Sequence, residues 1–185
     1  MRLPRLAIVL MLVVAASGVC RADEIAVKVE RRGETVVVDV EATAPAPVEQ
    51  AWAVLTDYDH MTSFVSSLTA SRVVERHDAD RWHVMQAGRT TVAFMSFAFE
   101  TVRAVELVRH KEIRSSLVSG DFKAYASTTS IAPAGSGTRI VHHGEYVPTK
   151  WLPPMVGPAV IERETRRQYQ EIIAEMERRA AATKR

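Results

Sequence analysis

The sequence predicts an α+β domain, a series of antiparallel strands closed by one long helix. Extended runs at 68–76, 81–87, 90–105, 112–118, 122–132 and 138–147 follow one another with only short turns between them. Parallel strands would need crossover connections, so this spacing favours antiparallel pairing. Beyond Pro158, the positions Ile161, Thr165, Tyr169, Ile172 and Met176 recur at three- and four-residue steps, the stripe of a helix with one buried face. Ahead of the strand series, Pro47 to Tyr58 carries a shorter helical pattern with Val48, Ala51, Trp52 and Leu55 on one side.

The chain of 185 residues suits one domain with a sizeable core. Arg2 and Arg5 precede an apolar run from Leu6 to Ala16, and mostly small residues follow to Ala22, the layout of a secretory signal peptide over residues 1–22. The run is shorter than the roughly 20 residues that a membrane span needs. A retained anchor and a lipid-modified Cys20 are the alternatives, the second disfavoured by β-branched Val19 where lipidation sites carry a small residue. Cleavage after Ala22 removes the only cysteine, so residues 23–182 are expected to fold without a disulfide, with 183–185 as a frayed tail. The expected location is outside the cytoplasm, the periplasm if the host is Gram-negative.

Ile25 to Glu30 and Thr35 to Ala42 read as a hairpin turning at Arg31-Arg32-Gly33-Glu34, with Val36, Val38 and Val40 on one face and Asp39 and Glu41 on the other. Pro47 suits the first helical position because its missing N–H would have no helical partner there. Asp57-Tyr58-Asp59 opens a second short helical segment towards Phe64, with Asp59 as acceptor for its free N–H groups. Gly88, Gly120 and Pro133-Ala-Gly-Ser-Gly137 mark turns between strands. Pro158 opens the last helix, whose outer face is expected to carry Glu162–Arg166 and Glu175–Arg179 as solvated pairs, with fraying from Arg178 onward.

Removing the signal takes Arg2, Arg5 and Arg21 from 24 Lys+Arg against 22 Asp+Glu, so the formal charge moves from +2 to about −1. No concentrated positive field remains for a phosphate backbone, and nucleic acid is not an expected partner. No phosphate loop, paired-cysteine metal site or nucleophile elbow is present, and neither a cofactor nor a metal is expected.

Val-Glu-Gln-Ala-Trp-Ala-Val-Leu-Thr-Asp-Tyr-Asp at 48–59, Phe64 and Ser71-Arg-Val-Val-Glu-Arg76 resemble the opening of the polyketide cyclase/dehydrase and coenzyme-Q-binding group of the START-like (SRPBCC) superfamily. Val118-Ser-Gly-Asp-Phe-Lys123, Gly137-Thr-Arg-Ile-Val141 and Trp151-Leu-Pro-Pro154 resemble later segments of its bacterial members. The resemblance implies a helix-grip fold of the START and Bet v 1 kind: a curved antiparallel sheet wrapped around the C-terminal helix, two short helices after the N-terminal hairpin, and an elongated apolar cavity. Members of the superfamily bind lipids, sterols, quinones, polyketides or plant hormones, and some are enzymes. The scaffold alone does not choose among these.

Candidate cavity residues follow from strand parity and helical phase. If Phe97 and Phe99 point inward, Arg103 shares their face and can meet an acidic headgroup, although a sheet-end arginine more often faces water. His142 and His143 point to opposite faces and cannot form a metal pair alone; His142 shares parity with Ile140 and Tyr146 and is the inward candidate. Tyr125, Val160, Glu164 and Gln168 can add polar and apolar lining, while Trp151 and Met155 are candidate gate residues before the last helix. Core packing, or a boundary position facing solvent for Glu164, explains each of them as well. No catalytic residue stands out; His142, Tyr125 and Glu164 would transfer protons if the protein is an enzyme.

The preferred reading is an exported carrier that shields a hydrophobic small molecule, a lipid, isoprenoid or polyketide-like compound, with transient membrane contact as a further expectation. The alternatives are a cyclase or dehydrase acting on a polyketide-like substrate, and a protein-interaction module with a collapsed cavity. The oligomeric state is left open.

Overall fold

A computed structural model describes residues 25–92, 95–149 and 157–183. The signal segment and its cleavage site, Trp151 and Met155 lie outside these residues. The strands are β1 (Ala26–Arg32), β2 (Thr35–Ala44), β3 (Leu68–Arg76), β4 (Arg81–Val92), β5 (Met95–Val108), β6 (Glu112–Gly120), β7 (Phe122–Ala134) and β8 (Gly137–Pro148). They form one curved antiparallel sheet in the order β1-β2-β8-β7-β6-β5-β4-β3. Helix α1 (Val48–Leu55) and a 3-10 helix (Tyr58–Ser63) follow β2, and helix α2 (Pro158–Thr183) ends the fold.

Residues with period-two apolar patterns build the floor of the core. Val36, Val38, Val40, Ala42 and Ala44 of β2 are all buried. The alternate positions carry cross-strand pairs on the outer face, with Glu41 bonded to Arg139 at 2.8 Å and Asp39 beside His143 at 2.7 Å. Such pairs pin register because a one-residue slip would exchange the two faces. Irregularities interrupt the β3–β4, β5–β6 and β7–β8 ladders, and bulges of this kind bend strands and increase local twist.

The helices close one side of the sheet. Pro47 precedes α1 by one position, its carbonyl accepting from Gln50 and Ala51 at 3.0 Å each. Ala51, Trp52, Val54 and Leu55 are buried, and the Trp52 ring meets His110 edge to face at 5.7 Å. Helix α2 turns Tyr169, Ile172, Met176 and Ala180 inward and packs against α1 and β1. Arg166 donates to the Ile25 carbonyl and pairs with Glu162, so this charge pair also fastens α2 to the start of β1.

Several sequence expectations change. The 90–105 run is the hairpin of β4 and β5, and Gly88 lies inside β4 opposite Phe99 instead of at a turn. Asp59 does not cap the 3-10 helix; its Oδ1 accepts from the Val73 N–H at 2.8 Å and ties that helix to β3. Helix α2 is continuous through Arg178 to Thr183, with Ala180 buried and Arg179 reaching Asp57 at 2.8 Å. Glu175 is also not a solvated partner on the outer face. It is buried and accepts from Arg178 at 2.7 Å and Arg179 at 2.6 Å, which holds its carboxyl down at about 2.

Candidate functional site

Between the sheet and α2 lies a cavity of about 440 Å³. Its size is within the range of small-molecule sites. Val38, Leu55, Met61, Ile113 and Ile172 give it apolar walls. Phe97, Phe99, Thr101 and Arg103 enter it from alternate positions of β5, as period-two geometry requires once one of them points inward. Tyr125 of β7, His142 and Tyr146 of β8, and Val160, Glu164 and Gln168 of α2 also line it. Room for the large rings comes from two glycines. A Cβ on Gly88 would stand 2.5 Å from the Phe99 ring, and one on Gly144 would stand 3.0 Å from His142 Nε2.

The polar pole of the cavity is Arg103. Its Nη1 donates to the Tyr125 hydroxyl at 3.2 Å, its Nη2 donates to Gln86 Oε1, and its guanidinium carbon stands 5.3 Å from the Tyr125 ring centroid. The Tyr125 hydroxyl in turn donates to Ser127 Oγ at 3.3 Å, while Gln86 Nε2 donates to Ser71 Oγ at 3.0 Å and so fixes the amide. Arg103 Nε is buried without a hydrogen-bond partner, and among the described residues no carboxylate bonds to this guanidinium. A partly buried cation with no carboxylate bonded to it is costly, and an anion arriving beside it would recover part of that cost.

His142 stands with its Nδ1 2.8 Å from Thr129 Oγ1 and its ring 6.0 Å from that of Tyr169. Burial, and secondarily the charge of Arg103, pulls its imidazole down to about 4. The ring is therefore neutral near pH 7 and acts there as a hydrogen-bonding group. Burial pushes the Tyr58 hydroxyl up to about 12 and raises those of Tyr146 and Tyr169 further, so these phenols stay protonated. Glu164 meets the cavity already paired with Arg167 on its own helix.

Tyr58, Gln86, Phe122 and Tyr169 also line the cavity, and the sequence pattern does not single them out as lining. Tyr58 belongs to the opening motif, which marks the fold. Tyr169 lies on the core stripe of α2 and is core as well, at 8% exposure. Phe122 packs edge to face on Tyr146 at 5.3 Å, closing an aromatic cluster with Tyr125 that the sequence scatters over two strands.

A family model described as polyketide cyclase / dehydrase and lipid transport matches residues 35–181. No curated protein matches the chain. Among solved structures, a STAR-related lipid transfer protein from Xanthomonas axonopodis is similar with a TM-score of 0.69 at 10% identity, covering 84% of this chain and 95% of that one. A protein of Thermus thermophilus gives 0.63 at 22% identity, covering 80% of this chain and 98% of that one. The Zhui aromatase/cyclase from a Streptomyces species gives 0.61 at 16% identity, covering 78% of this chain and 95% of that one. At these identities the likeness shows the fold, which is the START and Bet v 1 helix-grip.

Proposed function

Because this chain belongs to the polyketide cyclase/dehydrase and lipid transport family, whose superfamily fold binds hydrophobic ligands, we propose that it is a carrier for an apolar small molecule bearing an acidic head. The observation that carries this reading is Arg103, a cation in the cavity wall with a buried, unpartnered Nε and no carboxylate bonded to it among the described residues. The apolar body of the ligand would lie against Phe97, Phe99 and Ile172, and its head against Arg103 and Tyr125. Burial of apolar ligand surface supplies roughly 25 cal/mol per Å², reduced by the loss of ligand freedom on binding. Arg103 would then set orientation and selectivity, since a few placed polar groups do this in apolar sites. The signal-like residues 1–22 support export before ligand capture, and sequencing the N-terminus of the mature protein tests that step.

The cyclase reading has one specific support, the placement of Tyr125 and His142 in the same cavity as Arg103. General bases work best with a pKa near the working pH, and an imidazole held at about 4 is a weak one at neutrality. This favours carriage over proton transfer. An open cavity of about 440 Å³ likewise weighs against an interaction module whose own side chains fill the space.

Native mass spectrometry and solvent extraction of protein purified from its own host test the proposal. A co-purifying apolar acid is the expected result. Turnover of a polyketide-like substrate that is lost in His142→Ala or Tyr125→Phe, with the fold retained, would replace the carrier by an enzyme.

A further inference from the structure

The outer end of the β3–β4 hairpin holds a cluster of side chains that the cavity does not use. Val84 is buried and Gln86 lines the cavity, so His83, of opposite parity on β4, faces the other side of the sheet. A bulge in β3 leaves Val74 as an extra residue between the pairs Val73↔Val84 and Glu75↔His83, and this sets Glu75 directly across from His83. His77 lies two residues beyond Glu75, with its backbone N–H donating to the Arg81 carbonyl at 2.9 Å. The two imidazoles meet edge to face, with centroids 4.4 Å apart and Nε2 atoms 3.2 Å apart. Their opposite nitrogens both address one carboxylate: His83 Nδ1 is 2.9 Å from Glu75 Oε2, and His77 Nδ1 is 3.4 Å from Glu75 Oε1.

The two Nε2 atoms stand at hydrogen-bond distance, so without a metal one ring carries its hydrogen at Nε2 and donates it to the other. With both hydrogens on the Nδ1 atoms, beside the Glu75 carboxylate, both Nε2 lone pairs become free for one positive ion. Nitrogens at that separation, each bound at about 2.0–2.1 Å, subtend an angle of about 100° at a common ion, close to tetrahedral. A carboxylate behind a metal-bound histidine fixes its tautomer and strengthens it as a ligand. One donor atom from each of the three residues lies within 4.8 Å of the other two; Glu75 and His77 are exposed and His83 is partly so, and water can therefore complete the coordination.

We propose that His77 and His83 bind a divalent transition-metal ion of the zinc class through their Nε2 atoms, with Glu75 orienting both rings. The site differs from the sequence expectation of no metal because its ligands come together through a bulged hairpin and not through a short sequence motif. Binding there would fasten edge strand β3 to β4, and only the folded hairpin presents both rings at this separation.

Calorimetric titration of tag-free protein with Zn²⁺ tests the proposal. One ion should bind with micromolar affinity and raise the Tm. His77→Ala and His83→Ala should each abolish binding with little change in metal-free stability, because neither side chain belongs to the core. Glu75→Gln should weaken binding by about 10–100-fold. His143→Ala on β8 should leave it unchanged. No binding up to millimolar Zn²⁺ would overturn the site and leave only the hydrogen bond between the rings. Zinc affinity unchanged in the His77→Ala/His83→Ala double variant would overturn it as well.

Discussion

The contact between α1 and α2 and the cavity beside it draw on similar residues but are filled to different degrees. Where α1 meets α2, Ala51, Val54 and Met176 are fully buried, and the buried Glu175 is bonded to two arginines. Around the cavity, Phe97, Phe99 and Tyr146 are only half-buried, and Arg103 keeps an unpartnered Nε. Close packing and complete pairing at the first place supply stability. Incomplete packing and incomplete pairing at the second leave room and charge for another molecule.

The sharpest break of this contrast is a pair of truncations. Met176→Ala should cost about 2–5 kcal/mol of unfolding free energy, because Met176 is fully buried and its neighbours close such a hole only in part. Phe97→Ala, facing space already empty, should cost much less and instead weaken ligand binding. Urea unfolding of both variants reads the difference, and equal losses would dissolve the distinction between the two regions.

A smaller effect is expected from charge in the packed region. Hydrogen bonds from Arg178, aided by Arg179, hold the Glu175 carboxyl at about 2, below its ordinary 4.5. The depressed value means that its contribution is complete above about pH 4.5 and fades as pH falls towards 2. Glu175→Gln should therefore lower stability at pH 7 by about 1–3 kcal/mol, with the gap to wild type narrowing in acid. A gap that stays constant from pH 7 to pH 3 would contradict the pairing.

The smallest effect concerns His142. Its folded-state value of about 4 lies below the ordinary 6.5, so the neutral ring's contribution is complete above about pH 6.5 and declines as pH falls towards 4. An NMR titration should find the imidazole neutral at pH 6. A charged ring at that pH would remove the physical argument against His142 as a general base.

Much of the scaffold is legible in the sequence because periodicity reports burial. The β2 valines, the inward face of α1 with Trp52, and the α2 stripe ending at Met176 all follow from spacing. The departures share a cause, since each depends on a partner distant in the chain. Gly88 looks like a turn residue until Phe99 is placed over it, and Glu175 looks solvated until Asp57 draws Arg179 inward. Alternation along β5 puts Phe97, Phe99 and Arg103 on one face without saying which face lines the cavity. The Gln86 and Tyr125 contacts that make Arg103 a polar pole require three strands to be assembled.

Arg103 also offers the sharpest test of a carrier for an acidic ligand. Wild-type protein and Arg103→Met are titrated with palmitate and with methyl palmitate, equal in apolar length and different in charge. Wild type should prefer the carboxylate by about 10–100-fold, the worth of charged hydrogen bonds, and the variant should lose this preference while remaining at least as stable. Equal affinity of wild type for acid and ester would remove the acidic head from the proposal, and failure to bind either would contradict the carrier itself.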